Sequence, residues 1–170
     1  MLPILGKPMV AWSIEAAIRS ELFERVIVSS DFEEILEISK KYGAEARRRT
    51  SQLSQDWSSV NEVVNSILGE EIELGRNYDE LFLLYATAPL RTSDDLLAMA
   101  EILENEVKAK AVIATTKFVH YPYQALTVTT DNELKPMWPA LVRKRATSLP
   151  NFVVGNASTY AIKVTEFQRD

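Results

Sequence analysis

The sequence predicts an α/β layer fold with a mainly β extension toward its C-terminal end. Three observations carry that expectation. Helical and strand-like segments alternate from about residue 8 to residue 117, the strand candidates are short apolar runs, and no helical period appears between Phe118 and Ile162. Residues 1–117 are therefore assigned to a core, 118–162 to an extension and 163–170 to a return to the core.

The elements follow in order. Gly6-Lys7-Pro8 punctuates the start, and Pro8 suits a first helical turn because its missing N–H would be unpaired there. Val10, Ile14, Ala17 and Ile18 recur at helical spacing to about Arg19, so the first helix begins almost at Met1, with no strand ahead of it. Arg25–Ser30 is a short β-branched run, read as a buried strand. Asp31 with Glu34 forms a capping-box pattern opening a second helix, which Gly43 ends in a left-handed conformation. Ala44–Arg48 reads as an edge strand, Trp57–Leu68 as a third helix and Glu80–Tyr85 as the most hydrophobic strand. Thr92-Ser93-Asp94-Asp95 caps a helix to about Glu106, and Ala111–Thr116 is a further buried strand. This alternation argues a parallel sheet covered by helices. In the extension, Asp131-Asn132 turns a hairpin between 125–130 and 133–137, and Phe152–Val154 and Ser158–Ile162 read as two more strands. Glu166–Asp170 reads as the opening of a helix.

Composition narrows the function classes. A chain of 170 residues with 46% hydrophobic content can bury a core without metal or disulfide staples, and Cys 0 excludes a thiolate nucleophile or sulfur-ligated zinc. Lys+Arg 19 against Asp+Glu 24 gives a net charge of −5, with no basic run beyond three residues, which argues against duplex nucleic acid. No apolar stretch approaches the roughly 20 residues that span a bilayer, and no signal-peptide pattern opens the sequence, so a cytoplasmic protein is expected.

Several residues could carry chemistry. Neither Gly-x-Gly-x-x-Gly nor a Walker loop is present, and Gly6-Lys7-Pro8 also reads as a plain turn. Asp31 stands at a strand's carboxyl end, where α/β sheets place ligands, or simply caps a helix. His120, the one histidine, has no triad partner in sequence and reads as structural. Arg47-Arg48-Arg49 and Arg143-Lys144-Arg145 are either solvated faces or anion sites, because guanidinium forks match phosphate and carboxylate. The loop Ala86-Thr87-Ala88-Pro89-Leu90-Arg91 after the apolar strand could floor a polar pocket.

Taken together, these segments resemble the cytidylyltransferases that activate nonulosonic acids, the sialic-acid and pseudaminic-acid enzymes. Gly6-Lys7-Pro8-Met9 with Ser13–Ala17 resembles that family's GKP helix, and Arg25–Asp31 is similar to its V-I-V-S-T-D strand. Tyr42-Gly43-Ala44-Glu45, Leu53-Ser54-Gln55-Asp56, Tyr121–Leu126 and Arg145–Pro150 are similar to further stretches, in the family's order. Tyr85-Ala86-Thr87-Ala88-Pro89 resembles the pseudaminic branch, where the sialic branch has Q-P-T-S-P.

The resemblance implies a three-layer Rossmann-like nucleotidyltransferase fold whose β extension serves dimerisation. It implies transfer of CMP from CTP to an acidic nine-carbon sugar with Mg²⁺, in a homodimer. By the same resemblance Arg49, Ser58 and Ser59 face the nucleotide, while Tyr85, Arg145, Asn156 and Tyr160 face the sugar. Thr147 and Ser148 stand where the family has Gln-Asp, and Ala157 where it has a glycine. The family's opening basic loop and late D-x-D metal ligands have no counterpart in these residues, so weak or absent transfer is expected of the chain. The alternative expectation is a non-catalytic, dimerising relative that binds a sugar, nucleotide or protein.

Overall fold

A computed structural model describes residues 3–145 and 148–169. The chain divides into two compact units, Met1–Ile113 with Ala157–Asp170, and Ala114–Asn156.

The larger unit opens with a small hairpin, β1 (Pro3–Ile4) and β2 (Lys7–Pro8), ahead of helix α1 (Met9–Ser20). Sequence periodicity missed this hairpin because two-residue strands leave no period to read. Leu5 and Gly6 both adopt positive φ (50° and 76°), the geometry of a tight two-residue hairpin turn. Trp12 Nε1 donates to the Ile4 carbonyl at 3.2 Å and ties the turn to α1.

Helix α1 is the centre of the core. Val10 and Ile14 pack with Ala44 against Val26, Val28 and Ile38, and one turn further on Ala16 and Ala17 pack with Leu96 against Phe23, Phe82 and Leu84. Two faces of α1 are thus enclosed, which is why five of its apolar side chains are buried rather than a single stripe.

Strands β3 (Ile27–Ser30) and β4 (Glu45–Arg48) pair in parallel, joined through α2 (Glu33–Lys41), with Ser30 opposite Arg48. This is a βαβ unit, as the alternation predicts. The expected Asp31 capping box does not form. Phe32 occupies the N-cap with no side-chain cap bond, and Ser30 Oγ accepts from the Phe32 N–H at 3.2 Å. Gly43 has φ +90° as expected, and an added Cβ would also sit 3.0 Å from Ile18 Cδ1.

Helix α3 (Val60–Glu73) starts later than Trp57, because Ser59 and Glu62 form the capping box that fixes its first turn. Strand β5 (Glu80–Leu84) leads to α4 (Ser93–Asn105), capped by Thr92 and Asp95. Strand β6 (Ala111–Lys117) follows. It was expected to be buried, yet Ile113 is 48% exposed, since β6 is the outer strand in the order β5, then the last strand, then β6.

That last strand, β9 (Val153–Lys163), corrects two expectations. It is one strand of 11 residues rather than two, and Ala157 within it has φ 52°. It also runs antiparallel to β5, pairing Leu84 with Thr159 and Glu80 with Lys163, so this three-stranded sheet is not wholly parallel, while β3 and β4 form a separate parallel pair. Residues 157–162, placed with the extension by pattern, belong to the larger unit, where Thr159–Lys163 pair with β5. Helix α6 (Val164–Phe167) follows directly.

The smaller unit contains the hairpin β7 (Leu126–Val128) and β8 (Leu134–Pro136), whose turn places Asn132 at φ 61°. It also holds a short helix α5 (Pro139–Val142) where no helical period was visible, four residues being too few to show one. Tyr123, 3% exposed, stacks on Tyr121 and touches Phe152. Tyr123 and Phe152, with Pro122, Trp138 and Leu141, line a cavity of about 170 Å³. No helix among the described residues is long and apolar enough to cross a membrane.

Candidate functional site

A polar cleft of about 340 Å³ lies at the carboxyl ends of β3 and β4, lined by Asp31, Arg48, Arg49, Ser51, Ser54 and Gln55. Parallel strands place ligands at this end because their loops diverge there and leave backbone groups free to contact them. Strand alternation separates Arg47 from Arg48, and Arg49 follows the end of β4. Arg47 points to α3, where Nη2 donates to Glu71 Oε1 at 2.6 Å. Arg48 Nη1 donates to the Asp31 carbonyl at 3.1 Å and to Glu33 Oε2 at 3.0 Å. Arg49 Nη2 donates to the Ser29 carbonyl at 2.7 Å and Nε to Ser29 Oγ at 3.3 Å. Arg48 and Arg49 therefore present cationic forks to the cleft from a fixed base, whereas Arg47 serves the interior.

Ser58 and Ser59 have local partners. Ser58 Oγ donates to the Gln52 carbonyl at 3.0 Å, folding the segment that carries Ser51, Ser54 and Gln55 back on itself. Ser59 is the N-cap of α3. Lys7 is held by Glu15 at 2.6 Å and lies 4.3 Å from the centre of the Trp12 ring, so Gly6-Lys7-Pro8 is the turn into α1.

A second polar constellation surrounds the loop after β5. Tyr85 and Tyr160 bring their rings to 6.1 Å between centroids, a pairing set by the antiparallel register. Behind them Arg91, 8% exposed, donates from Nε to Thr159 Oγ1 at 2.7 Å, from Nη1 to Ser13 Oγ at 3.0 Å and from Nη2 to the Tyr85 carbonyl at 3.0 Å. Nη2 also donates to the Ser158 carbonyl. Burial pulls the Arg91 guanidinium below its ordinary value, with Asp95 opposing the shift.

The third constellation was not foreseen. Glu71, 1% exposed, meets Arg47 at 2.6 Å, Arg76 at 3.3 Å, Arg25 at 3.4 Å and the Tyr78 hydroxyl at 2.9 Å. Arg25 also pairs with Glu45. Burial raises the Glu71 carboxyl, but hydrogen bonds from Tyr78 and Arg76 and the charge of Arg25 outweigh it and hold it below the usual carboxylate value. The missed signal was spacing. Val64, Ile67, Leu68 and Glu71 lie on one face of α3, so a carboxylate there had to be buried with a partner.

The proposed sugar-side residues fall in different units. Tyr85 and Tyr160 come together in the larger one, while Arg145 and Asn156 belong to the smaller. Arg145 is exposed, and its carbonyl accepts from Ser148. Ala146 and Thr147 of that stretch lie outside the described residues. Among the described residues no group of three or more His, Cys, Asp or Glu converges as a metal site. No chemical step is assigned to the implied Mg²⁺.

Residues 1–149 match the family described as Cytidylyltransferase. A pseudaminic acid cytidylyltransferase of Campylobacter jejuni is 41% identical over 128 residues, covering 73% of this chain and 53% of that protein. An N-acylneuraminate cytidylyltransferase of Escherichia coli is 32% identical, over 68% of this chain and 27% of that protein. A CMP-N,N'-diacetyllegionaminic acid synthase of Legionella pneumophila is 30% identical, over 66% and 48%. The chain spans about half the length of the first of these relatives. Among solved structures, a CMP:2-keto-3-deoxy-manno-octonic acid synthetase complexed with CTP superposes with TM-score 0.69 at 16% identity, covering 99% of this chain and 68% of that one. The 4-diphosphocytidyl-2C-methyl-D-erythritol synthase of Anaerococcus prevotii gives 0.64 at 14% identity, covering 99% and 69%. These superpositions establish the nucleotidyltransferase fold. On sequence, the chain belongs to the cytidylyltransferase family.

Proposed function

We propose that this chain carries the nucleotide cleft and part of the sugar site of an enzyme that transfers CMP from CTP to a nonulosonic acid of the pseudaminic or sialic type. In that reaction the anomeric hydroxyl oxygen of the sugar bonds to the α-phosphorus. The bond from that phosphorus to the bridging oxygen breaks, pyrophosphate leaves, and the hydroxyl proton passes to solvent. Positioning and charge neutralisation dominate such a step.

The observation that carries the reading is the cleft at the ends of β3 and β4, where Arg48 and Arg49 are hydrogen-bonded in place at a strand end. Arg49, Ser58 and Ser59 contact the nucleotide. Tyr85 and Tyr160 of the larger unit contact the sugar. CTP is an intracellular nucleotide, which favours a cytoplasmic site of action. Half-exposed Leu126, Val128, Leu134 and Met137 in the smaller unit favour a homodimer in which a second copy covers them.

Titration calorimetry tests the nucleotide cleft. CTP should release heat on binding, and Arg49→Ala should weaken it by about tenfold, the loss of a charge-assisted contact. Equal affinity in wild type and variant would contradict the assignment. A second reading, a binding relative without transfer, predicts CTP affinity with no pyrophosphate release.

A further inference from the structure

Arg91 is an unusual buried cation. Its side chain is almost completely enclosed, and its described acceptors are two hydroxyls and two backbone carbonyls, none of them charged. Asp95, the acid that acts on it electrostatically, directs Oδ2 to the Thr92 N–H and hydroxyl instead, at 2.8 Å each. Enclosing a guanidinium among neutral acceptors is unfavourable relative to an apolar filler, so stability alone is a poor reason for this residue.

What the arrangement does achieve is geometric. Nη2 bridges the Tyr85 and Ser158 carbonyls, Nε holds Thr159, and Nη1 reaches Ser13 on α1. Tyr85 therefore cannot shift along the strand without breaking bonds to a fork that is itself fixed to the core helix. Tyr160 follows Thr159 directly, so the same fork holds the backbone on both sides of the ring pair. A planar fork can satisfy acceptors in three directions at once, which a lysine ammonium on a flexible stem does not reproduce.

We propose that Arg91 is a positioning residue, which sets the Tyr85–Tyr160 ring pair and through it the affinity for the acidic sugar, leaving the nucleotide cleft untouched. The proposal rests on the sugar-side reading of Tyr85 and Tyr160 given above, and it adds a selective prediction to it. Loosening the clamp should affect one substrate and spare the other.

The test uses Thr159→Val and Ser13→Ala, each removing one acceptor of Arg91, alongside Arg91→Lys. Where Arg91→Lys fails to fold, the two milder variants still report. In variants with native circular dichroism, KM for the sugar acid should rise about tenfold, the effect of one broken hydrogen bond to a charged group, while KM for CTP stays unchanged. A general structural weakening would move both KM values together, and that result would overturn the proposal, as would no change in either. Should wild type release no pyrophosphate, the functional reading fails, and the clamp is judged by two-dimensional NMR. The ring-to-ring contact of Tyr85 and Tyr160 should be present in wild type and lost in Thr159→Val. Its persistence in the folded variant would overturn the clamp itself.

Discussion

The larger unit holds an enclosed apolar core, with Ile14 at 2% exposure and Leu96 and Leu103 at 0%, although Leu5, Trp57, Leu90 and Val107 stand exposed on it. In the smaller unit Leu126, Val128, Leu134 and Met137 are at least half-exposed, and Tyr123 stands as its buried aromatic. The larger unit is organised around a helix covered on two faces and around buried charges that are matched by partners. The smaller one is a hairpin, a short helix and a few stacked rings, too little to enclose its own apolar surface. In the proposed homodimer a second copy would cover that surface of the smaller unit.

The comparison breaks most sharply at Glu71. Glu71→Ala leaves Arg25 and Arg47 facing a buried gap and should cost about 3–5 kcal/mol in urea unfolding. Loss under about 1 kcal/mol would mean that water reaches the cluster. The pH dependence has a fixed sign. Because the folded carboxyl sits below its ordinary value of 4.5, the stability it contributes is complete above that pH and is lost as pH falls through the folded value. The stability gap between wild type and Glu71→Gln should therefore hold steady at neutral pH and close on acidification below about 4.5.

Next in size is a paired truncation. Leu96→Ala should cost about 2–5 kcal/mol, since the enclosed side chain leaves a cavity. Leu134→Ala, 63% exposed, should change monomer stability by less than about 0.5 kcal/mol and instead weaken self-association seen by sedimentation. Similar costs at both sites would erase the distinction between the units.

A modest gain is expected at Ala157. Its φ of 52° is unfavourable for any residue with a Cβ, and Ala157→Gly should raise the melting temperature through about 1 kcal/mol of relieved strain. An unchanged or lower melting temperature would show that the gain is offset by glycine's extra freedom when unfolded.

The sequence made much of this legible, for identifiable reasons. Parallel β3 and β4 were readable because a β-branched run, an acid-rich helix start and Gly43 mark a βαβ unit locally. The capping boxes of Ser59 and Thr92 follow from side chains three residues apart, although only the second was anticipated. What pattern could not supply was long-range pairing. Nothing in 153–163 says that this strand inserts antiparallel beside β5, and so nothing said that Arg91 would meet Thr159, 68 positions away. Site assignment shows the same limit. Arg49 and Asp31 share a cleft because adjacent strands place them there, whereas Ser59 also serves a helix cap and Arg47 a buried carboxylate.

The most direct test of the central claim is mass spectrometry of a reaction of this chain with CTP and pseudaminic acid. The account predicts a CMP–sugar conjugate formed in equal amount with pyrophosphate and abolished by omitting either substrate. CTP recovered intact, with no conjugate, would contradict the assignment of transfer to this chain.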